Sequence, residues 1–311
     1  MPINAKGMND DYVSYFDIEE YVDRIVLKPS LLEHLEETNK AFDAYMRYLA
    51  NYNHDYVVNY WIHSLYKELE YNQNIEMHKF NEATLMNKGL FFDTLNISHK
   101  RIHQLHNFVV EGQMEPSFNY RNVPVNVSSL NSDGSEDIFW RGAEEGDVLK
   151  FMNDFINLYK QSGASLLFSN PFLVSSLMHL IFLRIHPYTD GNGRTARMIH
   201  NLKFTETINK IYGMKLKISP LNLSESILIN KITYIKKIDN IYFDVKNDTN
   251  DAINDWFNYI LFMADEQIFK TSEMLRWMDD RYLIENPYMS LDEVKNGSRG
   301  LKKTLELMRR K

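Results

Sequence analysis

Apolar residues recur at helical spacing over most of this chain. From Leu31 to Phe80 they fall three and four apart. Trp61, Ile62, Leu65, Tyr66 and Leu69 mark one face of a helix that runs on towards Ile75. Asn96 to Val110 reads as a second helix, opened by Ser98 as its cap and turning Ile102, Leu105, Phe108 and Val109 inward. Further helices are predicted from Asp147 through Leu158, from Thr195 to Ile211, from Leu223 to Ile238 and from Ala252 to Trp277. Leu173 to Ile185 is apolar nearly all round, as a helix covered on every side must be. One region breaks the period. Val123, Val125 and Val127 alternate with Pro124 and Asn126, turn-forming residues fill Ser128 to Asp137, and Ile138-Phe139-Trp140 returns to strand composition. This predicts a β-hairpin, and Pro124, having no N–H to donate, puts at least one strand on an edge.

Composition changes this picture little. Only 12 Gly and 8 Pro interrupt the chain, and 44% hydrophobic with 25% charged residues is ordinary for a globular protein. With 35 Lys and Arg against 42 Asp and Glu, the formal charge of −7 argues against a broad nucleic-acid surface. The absence of cysteine removes disulfides, thiolate nucleophiles and cysteine zinc sites together. Met1 to Asp11 lacks the pattern of a signal peptide, and Leu173 to Ile185 is too short to span a bilayer, so a cytoplasmic protein without membrane contact is expected. Asn296 to Lys311 is basic and reads as a solvated tail. A homodimer through the outer helices stays open.

Chemistry concentrates in His186-Pro187-Tyr188-Thr189-Asp190-Gly191-Asn192-Gly193-Arg194-Thr195-Ala196-Arg197. Pro187 ends the buried helix, Gly191 and Gly193 permit a tight turn, and a new helix points its free N–H groups back into the loop. That makes a nest for an anion, most simply phosphate. Arg194 and Arg197 lie three apart at the helix start, where two guanidinium forks can grip successive phosphates. Asp190 supplies a hard oxygen suited to magnesium, and His186 is the residue of the loop that can take a proton near neutral pH. Any one of these has a bland reading as a cap, a turn or a solvated face. Their coincidence in one loop does not.

The segment resembles the signature of Fic-domain proteins, His-x-Phe-x-(Asp/Glu)-Gly-Asn-Gly-Arg-x-x-Arg, with Tyr188 in place of the usual Phe. Asn119-Tyr120-Arg121 is similar to the family's lead into its flap, the edge strand that pins a target by β-augmentation, which here is the hairpin 123–140. The resemblance covers roughly residues 60 to 270. It implies a Fic-type helical bundle with a small flap beside the active site, flanked by an N-terminal helical region (1–95) and a C-terminal one (241–311) around a catalytic core (96–240). It also implies a protein adenylyltransferase with ATP as substrate and Mg2+ beside it. His186 would deprotonate a Ser, Thr or Tyr hydroxyl of a target protein docked along the flap. Asp190 would hold magnesium, while Asn192 and the N–H groups of Gly191 and Gly193 would face the α-phosphate. Arg194 and Arg197 would bind the distal phosphates. Tyr234 would lie near the adenine.

Many Fic proteins carry an inhibitory (Ser/Thr)-x-x-x-Glu-(Gly/Asn) helix whose glutamate pairs with the last arginine of the motif. Asn72-Gln73-Asn74-Ile75-Glu76-Met77 resembles it, with Asn72 and Met77 departing from the pattern. Glu76 is thus expected on Arg197 as a restraint in the same chain. Transfer of another nucleotide, removal of AMP and non-catalytic nucleotide sensing remain alternatives. The kinase branch alters Gly-Asn-Gly, which this chain keeps at 191–193.

Overall fold

The structure, a computed structural model, describes residues 17–50, 54–76, 97–130, 136–161, 165–216, 218–241 and 250–285. Eleven helices and one hairpin are found among them. They run α1 (Ile18–Asp23), α2 (Pro29–Ala50), α3 (His54–Ile75), α4 (His99–Val109), β1 (Asn126–Leu130), β2 (Glu136–Arg141), α5 (Val148–Lys160), α6 (Leu166–Ser169), α7 (Pro171–Ile185), α8 (Asn192–Tyr212), α9 (Ser224–Ile229), α10 (Lys231–Asp239) and α11 (Asn250–Glu285). None of the described helices is long and apolar enough to cross a membrane.

The centre is α7. Its fifteen residues are all buried, which accounts for their apolarity on every side. Asn170 caps it, accepting from the N–H groups of Phe172 (3.0 Å) and Leu173 (3.2 Å), and Pro171 follows at a first-turn position that has no N–H to lose. α8 packs along α7, α4 lies against α8, α5 and α11 cover α7, and α3 rests on α9 with its tip on α8. The mostly helical fold is as the sequence predicts.

The details depart from it in three places. β1 starts at Asn126, not Val123, so Pro124 stands outside the ladder. The hairpin is antiparallel, and its register shifts between Val127 and Ser128, whose partners are Trp140 and Ile138, leaving Phe139 as the extra residue. The predicted helix from Leu223 to Ile238 is broken at Asn230 into α9 and α10. α8 opens at Asn192, three residues before Thr195, because Gly191 adopts the left-handed conformation that lets the chain enter the helix there. The expected basic tail and the strip 77–80 lie outside the described residues, as do the side chains of Trp61, Ile62 and Tyr66.

Candidate active site

The loop between α7 and α8 is fixed at both ends by unusual backbone. His186 ends α7 with φ 53°, the one non-glycine residue of positive φ among the described residues. Such a conformation persists where neighbours over-determine it. Here Arg121 does so, its Nε donating to the His186 carbonyl at 2.6 Å while other guanidinium nitrogens reach the carbonyls of Val123 (2.7 Å) and Ala143 (2.5 Å). One buried arginine therefore ties the root of the hairpin to the histidine. At the other end Gly191 has φ 76°, and a Cβ there would meet Val110 Cγ1 at 2.4 Å. Only glycine satisfies both conditions.

Three polar contacts set the middle of the loop. Tyr188 is buried and stacks on His106, with ring centroids 3.7 Å apart. Its hydroxyl meets His103 Nδ1 at 2.7 Å, the partner that a tyrosine needs where the family carries phenylalanine. His106 Nε2 donates to the Asp190 carbonyl at 3.0 Å. Tyr188→Phe is expected to cost about 1 kcal/mol, the worth of one net hydrogen bond, and to keep the fold. Urea unfolding measures it; a loss several times larger would mean that the tyrosine organises more than its own contact.

His186 Nδ1 lies 3.2 Å from the Leu183 carbonyl, so that nitrogen carries the proton and Nε2 keeps its lone pair. Burial, helped by Arg121, pushes the ring pKa down to about 4 and outweighs the Leu183 contact and the nearby carboxylates of Glu76 and Asp190. The ring is neutral at physiological pH and able to accept a proton.

The first two turns of α8 bring the arginines together. Arg194, with no exposed side-chain surface, donates to Val109 O (3.2 Å), Gln73 Oε1 (3.2 Å), Gln113 Oε1 and Asp190 Oδ2 (3.2 Å). Arg197 donates through Nε to Asn72 Oδ1 (2.5 Å) and through Nη2 to Asn72 O (3.2 Å) and Glu76 Oε1 (2.8 Å). Arg194 Nε and Arg197 Nη1 are buried without a hydrogen-bond partner among the described residues. Two orphaned guanidinium nitrogens beside a helix N-terminus are what an anion site presents.

A carboxylate already stands there. A Cβ on Gly193 would come within 2.5 Å of Glu76 Oε1 and 3.2 Å of Arg197 Nη1, so Glu76 covers the opening of α8. Burial disfavours its charge, and Arg197, together with Lys231 and Arg194, more than offsets that, holding the carboxyl below the usual glutamate range. Its side chain keeps 35% of its surface exposed, so the pair closes the nest at its mouth.

Three residues for which the resemblance implies nucleotide contacts also bond within the protein. Both ends of the Asn192 amide engage Tyr188, accepting from its N–H (2.9 Å) and donating to its carbonyl (2.8 Å), so Asn192 shapes the loop while its NH2 group keeps a second hydrogen to donate. The Gly191 N–H is given to Asp190 Oδ1 at 2.6 Å. Tyr234 is buried, with its hydroxyl 2.8 Å from His179 Nε2 and its ring against Trp256, and it interacts with Arg197. Sequence reasoning missed Gln73, Gln113, His103 and His106. The spacing of His99, His103 and His106 on one helix was the available signal for the last two.

Residues 96–203 match the model of the Fic/DOC family. The chain carries a Fic domain. Solved Fic structures share its fold. A Fic domain containing signaling protein from Bacteroides thetaiotaomicron is 18% identical, with a TM-score of 0.52 over 76% of this chain and 94% of that one. Fic-1 from C. elegans is 14% identical, with a TM-score of 0.53 over 79% and 73%. A Fic family protein from Desulfovibrio desulfuricans G20 is 14% identical, with a TM-score of 0.51 over 80% and 76%. The search among curated proteins gives no match. The match of residues 96–203 to the Fic/DOC family supports AMPylation-type or related Fic-domain activity in general.

Proposed function

We propose that this Fic protein is a protein adenylyltransferase, restrained by its own Glu76. The observation that carries the reading is a neutral His186, its Nε2 free, at the edge of a nest that holds two arginines with orphaned nitrogens. A target hydroxyl gives its proton to Nε2 as its oxygen attacks the α-phosphorus of ATP. The bond from that phosphorus to the α,β-bridging oxygen breaks, and pyrophosphate leaves with the electron pair. Arg194 and Arg197 stabilise the charge that accumulates on the leaving phosphates. Asp190, whose side chain is 58% exposed, is the carboxylate that would hold a magnesium ion bound with the nucleotide, where the ion would neutralise phosphate charge. The described residues hold no cluster of three or more acidic or histidine ligands, so a cation there would depend on phosphate oxygens.

The target, a protein bearing a Ser, Thr or Tyr hydroxyl, is assigned to the flap at 123–140. An open groove of about 620 Å³ beside the root of that flap, lined in part by Phe118, Tyr120 and Leu149, offers room for a neighbouring target side chain.

The test uses ATP labelled at the α or the γ position, with magnesium, on the protein itself and on a lysate. Covalent label from the α position alone is expected. Label from γ would make the protein a kinase. No label from either, with nucleotide still bound, would leave a sensor and overturn the transferase reading.

A further inference from the structure

Along α3, Glu68, Asn72 and Glu76 stand four residues apart and so share one face. The residues they meet on α8 run at the same spacing in the opposite direction. Glu68 Oε1 accepts from Asn201 Nδ2 (3.0 Å), Asn72 bonds Arg197 and also donates to the Arg194 carbonyl (3.2 Å), and Glu76 lies against Arg197 and Gly193. The two helices thus meet through a polar ladder of three rungs.

The rung furthest from the nest has no part in phosphate binding. Glu68 is 2% exposed and has no cation at hydrogen-bonding distance among the described residues. Besides Asn201, its oxygens accept from the Ser224 N–H (3.1 Å) and the Ser224 hydroxyl (2.5 Å). Ser224 opens α9, and its N–H has no acceptor within that helix. A buried carboxylate is costly unless every such bond is made, and these three are made with residues of two other helices.

We infer that Glu68 is the anchor of the restraint, a positioning residue that sets the register of α3 on α8 and so delivers Glu76 to the nest. This rests on the reading of Glu76 given above. Apolar contacts such as those of the buried Leu69 and Ile75 hold α3 against the core, but they are non-directional and tolerate sliding. Displacement by one helical turn, about 5.4 Å, would carry Glu76 off Arg197. The Glu68 bonds resist that displacement, because a slip leaves a carboxylate, a hydroxyl and an N–H buried without partners.

The experiment measures the affinity for ATP with magnesium in the wild type, Glu76→Gly, Glu68→Gln, Ser224→Ala and the double variant Glu68→Gln/Glu76→Gly. Glutamine keeps one acceptor but turns an NH2 group towards a donor, so it breaks the anchor with little change of volume. Glu76→Gly is expected to bind ATP about fivefold or more tightly. Glu68→Gln and Ser224→Ala are expected to shift affinity in the same direction, and Glu68→Gln to add nothing once Glu76 is gone. Hydrogen exchange at amides 72–76 should quicken in Glu68→Gln, while that of α7 does not. Wild-type affinity in both anchor variants beside a tightened Glu76→Gly would overturn the anchor and keep the restraint. Tightening that is equal with and without Glu76 would overturn it as well. Unchanged affinity in Glu76→Gly would end the restraint itself, whatever the transfer chemistry proves to be. If Glu68→Gln fails to fold, Ser224→Ala alone and on the Glu76→Gly background gives the same decision.

Discussion

Replacing His186 with alanine is expected to lower AMP transfer about 10²–10⁴-fold, the usual worth of a positioned general base, with ATP binding kept. The ring touches no arginine of the nest among its described contacts, so its removal takes away the proton acceptor and leaves the anion site in place. The same residue makes a prediction in pH. A histidine in water takes its proton near pH 6.5, but burial pushes this one to about 4. Above that value Nε2 is free and the base is competent; below it the ring is protonated and the rate falls. The acid limb of kcat/KM that belongs to His186 should therefore lie near pH 4, with a flat profile from pH 5.5 to neutrality. A limb at 6.5 would mean that the ring works while solvated. Equal rates in wild type and His186→Ala would remove it from the mechanism.

Trp256→Ala should be among the most destabilising single changes in the chain, at about 3–5 kcal/mol. The indole is fully buried where α11 crosses α7, and its Nε1 donates to the Ser176 carbonyl at 3.1 Å. It stands edge-on to His179 at 5.5 Å and packs on Tyr234 at 6.0 Å. An alanine leaves a cavity that a helix interior cannot collapse to fill, and it uncovers the ring of Tyr234, which interacts with Arg197. Trp256→Phe keeps a ring in place and should cost much less. Urea denaturation separates the two; a loss near 1 kcal/mol for alanine would show that α11 packs loosely enough to close the gap.

The sequence made some of this legible and hid the rest for identifiable reasons. α7 could be read because burial on all sides leaves no room for polar residues, and the loop after it because proline, two glycines and two arginines restrict each other within twelve positions. Glu76 could be matched to Arg197 from a resemblance, and the pair is 2.8 Å apart. The resemblance assigns Asn192 to a phosphate and is silent on its bonds to Tyr188, because a motif names residue types and not the geometry of their own loop. The resemblance singles out Tyr234 but says nothing of the His179 ring that its hydroxyl meets. Nothing in the sequence marks Glu68. Periodicity states which face a residue occupies, never which partner that face will meet.

The carboxylate over Gly193 and a phosphate cannot occupy the same few ångströms, so under the function proposed above Glu76 would act as a tethered competitor of any anion entering the nest. For such a competitor the relevant quantity is the fraction of molecules with the mouth open, because measured affinity is the affinity of the open form multiplied by that fraction. Were the mouth open in about one molecule in a hundred, ATP would bind about a hundredfold more weakly than the nest itself allows. Occupancy would then follow the cellular ATP concentration in a range where an open nest would already be saturated.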